Sequence, residues 1–139
     1  MNALVEKTNQ WLSHPDAAKF ILRVGFGAMM LLHGIHKAMH GTGFIEGLFV
    51  DLGLPAWFAY SVFIGEILAP LMMILGWYSR IGAVLIVGTS VVVIGLVHLG
   101  DFFTLSKVGG WIVEDIAVYL FAGIAVAFLG SGKYAVKPD

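Results

Sequence analysis

The residues that could do chemistry in this chain stand inside stretches that are otherwise apolar. Arg23, His33, His36 and Lys37 interrupt one such stretch, with His40 just beyond it. Glu66 stands near the middle of a second, His98 closes a third, and Glu114 and Asp115 open a fourth. An ionisable side chain inside a membrane span costs roughly 2.5–3.5 kcal/mol on insertion scales, so each is a functional candidate by default. Imidazole titrates near neutrality and can pass protons at working pH. A carboxylate at mid-span can make a niche for a ligand, a proton or a water. His33, Glu66 and His98 are therefore the candidate catalytic residues, and Arg23, His36, Lys37 and Glu114 the candidate ligand-binding residues. Several histidines and carboxylates on neighbouring helices could also ligate iron, copper or zinc. Haem would need two axial histidines on facing helices, and His33 with His98 is the pair available.

Each residue also has a structural reading. Lys37 can snorkel to the interface and bind nothing, while Lys19 and Arg80 read as interface anchors. His14 and His40 read as solvated, and Asp115 as a negative charge favouring a helix start. The structural alternative for Glu66 is a lone ion pair with Arg23. Pro70, four residues after Glu66, lacks the N–H that would bond the Glu66 carbonyl, which predicts a kink. Gly25, Gly27, Gly65, Gly82, Gly88, Gly95 and Gly123 read as close-packing positions.

The elements that position these residues follow from composition. Of 139 residues, 59% are hydrophobic and 12% charged, against about 25% charged in soluble domains. So short a chain cannot bury that much apolar surface in its own core, so lipid must cover much of it. A soluble enzyme is excluded. The absence of cysteine excludes disulfides, Cys-ligated zinc, iron–sulfur clusters and thiol redox chemistry. Redox chemistry would have to use a bound molecule. A net charge of −1 with no basic block leaves no footprint for nucleic acid.

A membrane-spanning helix needs about 20 residues. The apolar stretches predict spans at about residues 17–39, 55–77, 80–100 and 109–129. The expected fold is all-α: an antiparallel, up-down four-helix transmembrane bundle over residues 17–130. Residues 1–16 read as an interfacial segment and 131–139 as a cytoplasmic tail. The glycine-rich connection His40–Leu54 reads as a structured loop or short re-entrant segment on the bundle mouth. Lys7, Lys19, Arg23, Arg80, Lys133 and Lys137 fall at the end holding both termini, against Lys37 and Lys107 at the other. The positive-inside rule then places both termini in the cytoplasm. Antiparallel threading gathers His33, His36, Lys37, His98, Glu114 and Asp115 in one outer layer. By helical rise, Glu66 lies about 15 Å below the outer end, between Arg23 and His33.

These residues carry a family resemblance. "RVGFGAMMLLHGIHKAM" (Arg23–Met39) resembles the first-helix signature of the DoxX family. "GLPAWFAYSVFIGEILAPLMMILGWYSRIGA" (Gly53–Ala83) resembles its second signature, with a Gly-Leu-Pro opening, a mid-helix Glu and a Ser-Arg turn. "LVHLG" (Leu96–Gly100) matches its third-helix histidine. The resemblance implies a small four-helix protein of the bacterial inner membrane. It also implies that Arg23, His33, Lys37, Glu66, Arg80 and His98 are the recurrent polar positions. Ala69-Pro70 stands where members often have Gly-Gly, and His36 and His40 are additional imidazoles. Some members are linked to thiosulfate:quinone oxidoreductase or to membrane oxidoreductase complexes handling oxidative stress. The resulting expectation is a quinone-interacting subunit or accessory of a membrane oxidoreductase, with a soluble or membrane oxidoreductase as partner. The alternatives are a haem- or metal-binding membrane protein, and a non-enzymatic small-solute carrier, scaffold or assembly factor. Four helices are few for a complete transporter, so a homo-oligomer is a further expectation.

Overall fold

The computed structural model describes residues 2–139. Helix α1 (Ala3–Leu12) is capped by Asn2, whose side-chain oxygen accepts from the Leu4 N–H at 2.9 Å. None of its residues is buried. Ser13 and His14 separate it from α2 (Pro15–His40), which starts with proline in its first turn. Its 26 residues make it about 39 Å long. Helix α2 buries Arg23, Gly27, Met30 and Gly34. These residues are spaced four, three and four apart, a single stripe along the helix. The helix stops at Gly41, whose φ of 93° suits glycine.

The connection expected as a structured loop contains a short helix, α3 (Gly43–Asp51). Helix α4 (Ala56–Leu75) is not uniform. It begins as a 3₁₀ turn at Ala56–Ser61, passes through a π turn at Ile64–Leu68, and becomes α-helical at Ala69–Leu75. The disturbance expected from Pro70 therefore takes the form of a change in hydrogen-bond register, with the Ala69 N–H bonded to the Ile64 carbonyl. Helix α4 ends at Gly76, which adopts the left-handed conformation.

Helix α5 (Ser79–Val97) is continuous. The fourth stretch differs from expectation. Helix α6 (Glu114–Leu129) starts at Glu114 and has 16 residues. Residues 109–113 instead close a small hairpin, in which Leu105 pairs with Trp111 and the Ile112 N–H bonds to the Thr104 carbonyl. Gly109, at a φ of 87°, permits that turn. Three helices among the described residues are long and apolar enough to cross a membrane: α2, α4 and α5. At about 24 Å, α6 is shorter than a bilayer core of about 30 Å.

Helix α2 packs on α4 and α6, and α5 packs on the same two helices. Met30, Ala69, Met73, Ala83, Ile86, Tyr119 and Val126 form the core between them. That core is small. Leu32, Ile81, Val91, Phe121 and Phe128 point outward and are more than half exposed, as in a protein surrounded by lipid. Residues 131–139, expected as a tail, fold back on the bundle. The Val136 and Lys137 N–H groups bond to the carbonyls of Leu75 and Gly76, and Asp139 accepts from the N–H groups of Arg80 and Ser131.

Candidate functional site

The site is built where α2 and α4 come closest. Gly34 lies directly against the Glu66 carbonyl. A methyl group there would sit 2.3 Å from that oxygen. Three residues further along the same stripe, Lys37 reaches across to α4. Its Nζ donates to Oε1 of Glu66 at 2.8 Å and to Oε2 at 2.6 Å. Glu66 is 4% exposed. Its neighbour Gly65 makes the second close approach, where a Cβ would overlap the hydroxyl of Thr89 on α5. Glu66 thus stands between two close approaches that only glycine permits, Gly34 against its own carbonyl and Gly65 against the Thr89 side chain, within the π turn of α4.

Beside this pair lies a cavity of about 700 Å³. Helix α5 supplies an apolar wall, including Val84, Leu85, Val92 and Val93, and α3 closes one side with Phe44, Ile45, Leu48 and Phe49. The charged and imidazole side chains on its surface are His33, Lys37, Glu66 and Asp115. Tyr119 lines it too, with its ring edge-on to His33 at a centroid distance of 5.9 Å. A lysine ammonium has three N–H donors. Two are used by Glu66.

Other singled-out residues lie elsewhere. Arg23 is fully buried and does not pair with Glu66. It donates to the carbonyls of Ser131 at 2.9 Å and Met73 at 2.6 Å, and also to that of Tyr134. It therefore closes the C-terminal end of α4 and holds residues 131–134. Arg80 does the same for α6, donating to the carbonyls of Ala127 and Phe128. His36 lies beside His40, with ring centroids 4.4 Å apart and the rings tilted by 44°. His98 faces Asp101 at 3.2 Å and does not line the cavity. Glu114 folds against Gly110 rather than into the cavity. Of the candidates, His33, Lys37 and Glu66 come together, and His36, His98, Glu114 and Arg23 do not join them. Among the described residues, no group of three or more His, Cys, Asp or Glu side chains is placed to hold a metal.

Tyr119 escapes the sequence reading. Asp115, gathered with His33 and Lys37 in the outer layer but read as a helix-start charge, lines the cavity with it, and the two lie four apart on α6 and so share a face. The glycine reading divides. Gly27, Gly65, Gly82 and Gly123 make close contacts, whereas Gly25, Gly88 and Gly95 have open space around them. Gly34, the tightest approach of α2, is absent from that reading.

The DoxX family model matches residues 18–99. The chain belongs to the DoxX family. No curated protein and no solved structure matches it. The DoxX match takes in α3 and α5 and the residues of the Lys37–Glu66 pair. Asp115 and Tyr119 lie on α6, outside the matched DoxX residues.

Proposed function

We propose that this DoxX-family protein is a quinone-binding subunit or accessory of a membrane oxidoreductase. The cavity bordered by Lys37 and Glu66 is the proposed quinone site. The observation that carries this reading is a charged pair at the edge of a cavity that is otherwise almost wholly apolar. The residues fit a quinone. The volume falls in the range of about 300–1,000 Å³ typical of small-molecule sites. The apolar walls suit a ring, and a few polar groups converge at one place. A bound quinone supplies the carrier of two electrons and two protons that the side chains cannot, and a partner oxidoreductase supplies the electrons. Lys37 gives its third N–H to a ring oxygen. Glu66 holds the ammonium in place. His33 and Asp115, on the same cavity surface, relay protons to and from the bound ligand.

The membrane arrangement belongs to the same proposal. Helices α2, α4 and α5 cross the bacterial inner membrane, and α6, although shorter than the bilayer core, returns the chain antiparallel to α5, with both termini in the cytoplasm. The excess of lysine and arginine at the end holding the termini supports that orientation. A haem site finds less support, because His98 is turned to Asp101 and away from the cavity that His33 lines.

Quinone extracted from the purified protein and identified by mass spectrometry, together with titration of added quinone, tests the reading. The informative variant is Lys37→Gln with Glu66→Gln. Removing one partner alone would strand a buried charge at a cost of about 3–5 kcal/mol. The double variant is expected to stay folded and to bind quinone about tenfold more weakly. No copurified quinone and no response to added quinone would overturn the proposal. A folded double variant that keeps its binding and its partner would favour a scaffold or carrier role.

A further inference from the structure

The wall of the cavity is incomplete on one side. Val84, Gly88 and Val92 stand four residues apart and form one stripe along α5. All three line the cavity and all three are exposed, Val84 by 58% and Val92 by 50%. Across from them on α4, Ile64 also lines the cavity and is 48% exposed. A Cβ placed at Gly88 meets no atom within 4 Å. The other face of α5 is different, with Gly82, Ala83, Ile86 and Ser90 buried. The gap lies at mid-depth. Gly88 is the middle residue of α5, about 13–14 Å from either end. In a bilayer core of about 30 Å, that position faces acyl chains and not water. The end of the cavity near Lys37 is covered by the apolar side chains Phe44, Ile45, Leu48 and Phe49 of α3.

We propose that the cavity is loaded sideways from the bilayer, through an opening along Val84, Gly88 and Val92 opposite Ile64. Its ligand is then a lipid-dissolved molecule with one polar head and a long apolar tail, the tail lying in the opening. Applied to the quinone reading, on which this inference rests for its ligand, the site takes tailed quinones in preference to tail-less ones. The head reaches Lys37, and the tail passes between α4 and α5 into the membrane. The charged and imidazole side chains His33, Lys37, Glu66 and Asp115 come from α2, α4 and α6, whereas the stripe of α5 along the opening is apolar, so binding has a direction.

The chain has no cysteine, so a single introduced thiol can be labelled cleanly. A fluorophore on Val93→Cys reports from the cavity wall. In liposomes containing lipids with nitroxide-bearing acyl chains, the label is expected to be quenched. Gly88→Phe fills the opening where space exists, so it is expected to fold and to abolish that quenching. Gly88→Ala, whose methyl group touches nothing, keeps it. Quenching that is absent, or unchanged by Gly88→Phe, overturns the lateral opening whatever the ligand. In a second arm, a long-tailed and a tail-less benzoquinone are titrated against both proteins. Gly88→Phe is expected to weaken the tailed compound about tenfold and to leave the tail-less compound unaffected. Equal binding of both compounds to the unmodified protein overturns the assigned tail site. If neither compound binds while the quenching pattern holds, the quinone reading fails and the lateral opening stands.

Discussion

Arg23 sits at the foot of the bundle with its guanidinium turned to carbonyl oxygens. The last carbonyls of a helix have no partner within the helix, and the helix dipole makes that end negative. Arg23 satisfies the end of α4 and reaches Ser131 and Tyr134 at the same time. A lysine carries the same charge without the planar fork and cannot span those partners. Arg23→Lys is therefore expected to lower stability by about 3 kcal/mol. Quinone binding to the folded fraction should be unchanged, as Arg23 is remote from the cavity. Thermal unfolding in detergent beside a quinone titration checks both halves. The sequence located this charge but left Glu66 between Arg23 and the histidines. Arg23 and Lys37 share the buried stripe of α2, fourteen residues and about 21 Å apart. Which one Glu66 meets depends on the Gly34 contact. That contact puts Glu66 within a turn of Lys37 and leaves Arg23 about 16 Å away. Helical spacing alone contains no such information.

At the scale of elements, glycines decide where helices may touch. Gly34→Ala would drive a methyl group to 2.3 Å from the Glu66 carbonyl, so α2 must move off α4 or α4 must shift. Overpacking of this kind costs about 1–3 kcal/mol. It also lengthens the Lys37–Glu66 contact, so weaker quinone binding should accompany the loss. Gly25→Ala is the control. It lies on the same helix with nothing within 4 Å of its Cβ, and it should stabilise α2 by about 0.5–1 kcal/mol. Denaturation of the two variants side by side measures the contrast, and equal effects would contradict the packing described. Apolar runs disclosed α2, α4 and α5 because length and composition determine what crosses a bilayer. They did not disclose the start of α6, since Gly109 and Gly110 fit a hairpin as well as a span. Pro70 signalled a disturbance in α4. It did not specify a π turn, the register change that the turn at Ile64–Leu68 makes ahead of it.

For the whole molecule, the end that gathers the termini is also the end that is most tied together. Residues 131–139 bond to Arg23 of α2, to the end of α4 and to the start of α5, and the Lys133 N–H reaches Asp16. Removing residues 134–139 strips one carbonyl from Arg23 and a carboxylate from the start of α5. Losing several such bonds is expected to cost about 2–4 kcal/mol, read as a lower unfolding midpoint. The same end carries most of the lysine and arginine, and those charges decide how the chain enters the membrane. A cation moved across the bilayer core against that preference is costly, whereas acidic residues such as Glu46, Asp51 and Asp101 exert little control. The other end contributes only two lysines and no arginine, Lys37 in the last turn of α2 and Lys107 in the connection before α6. A fluorescent protein fused after Asp139 should therefore fold in the cytoplasm and fluoresce, and alkaline phosphatase at the same place should be inactive. Phosphatase inserted at Lys107, in the turn before Gly109, should be active outside. The reverse pattern would invert the molecule and put the Lys37 end of the cavity on the cytoplasmic side. Protons would then be exchanged with the cytoplasm, and a partner that reaches the ligand head would have to approach from there.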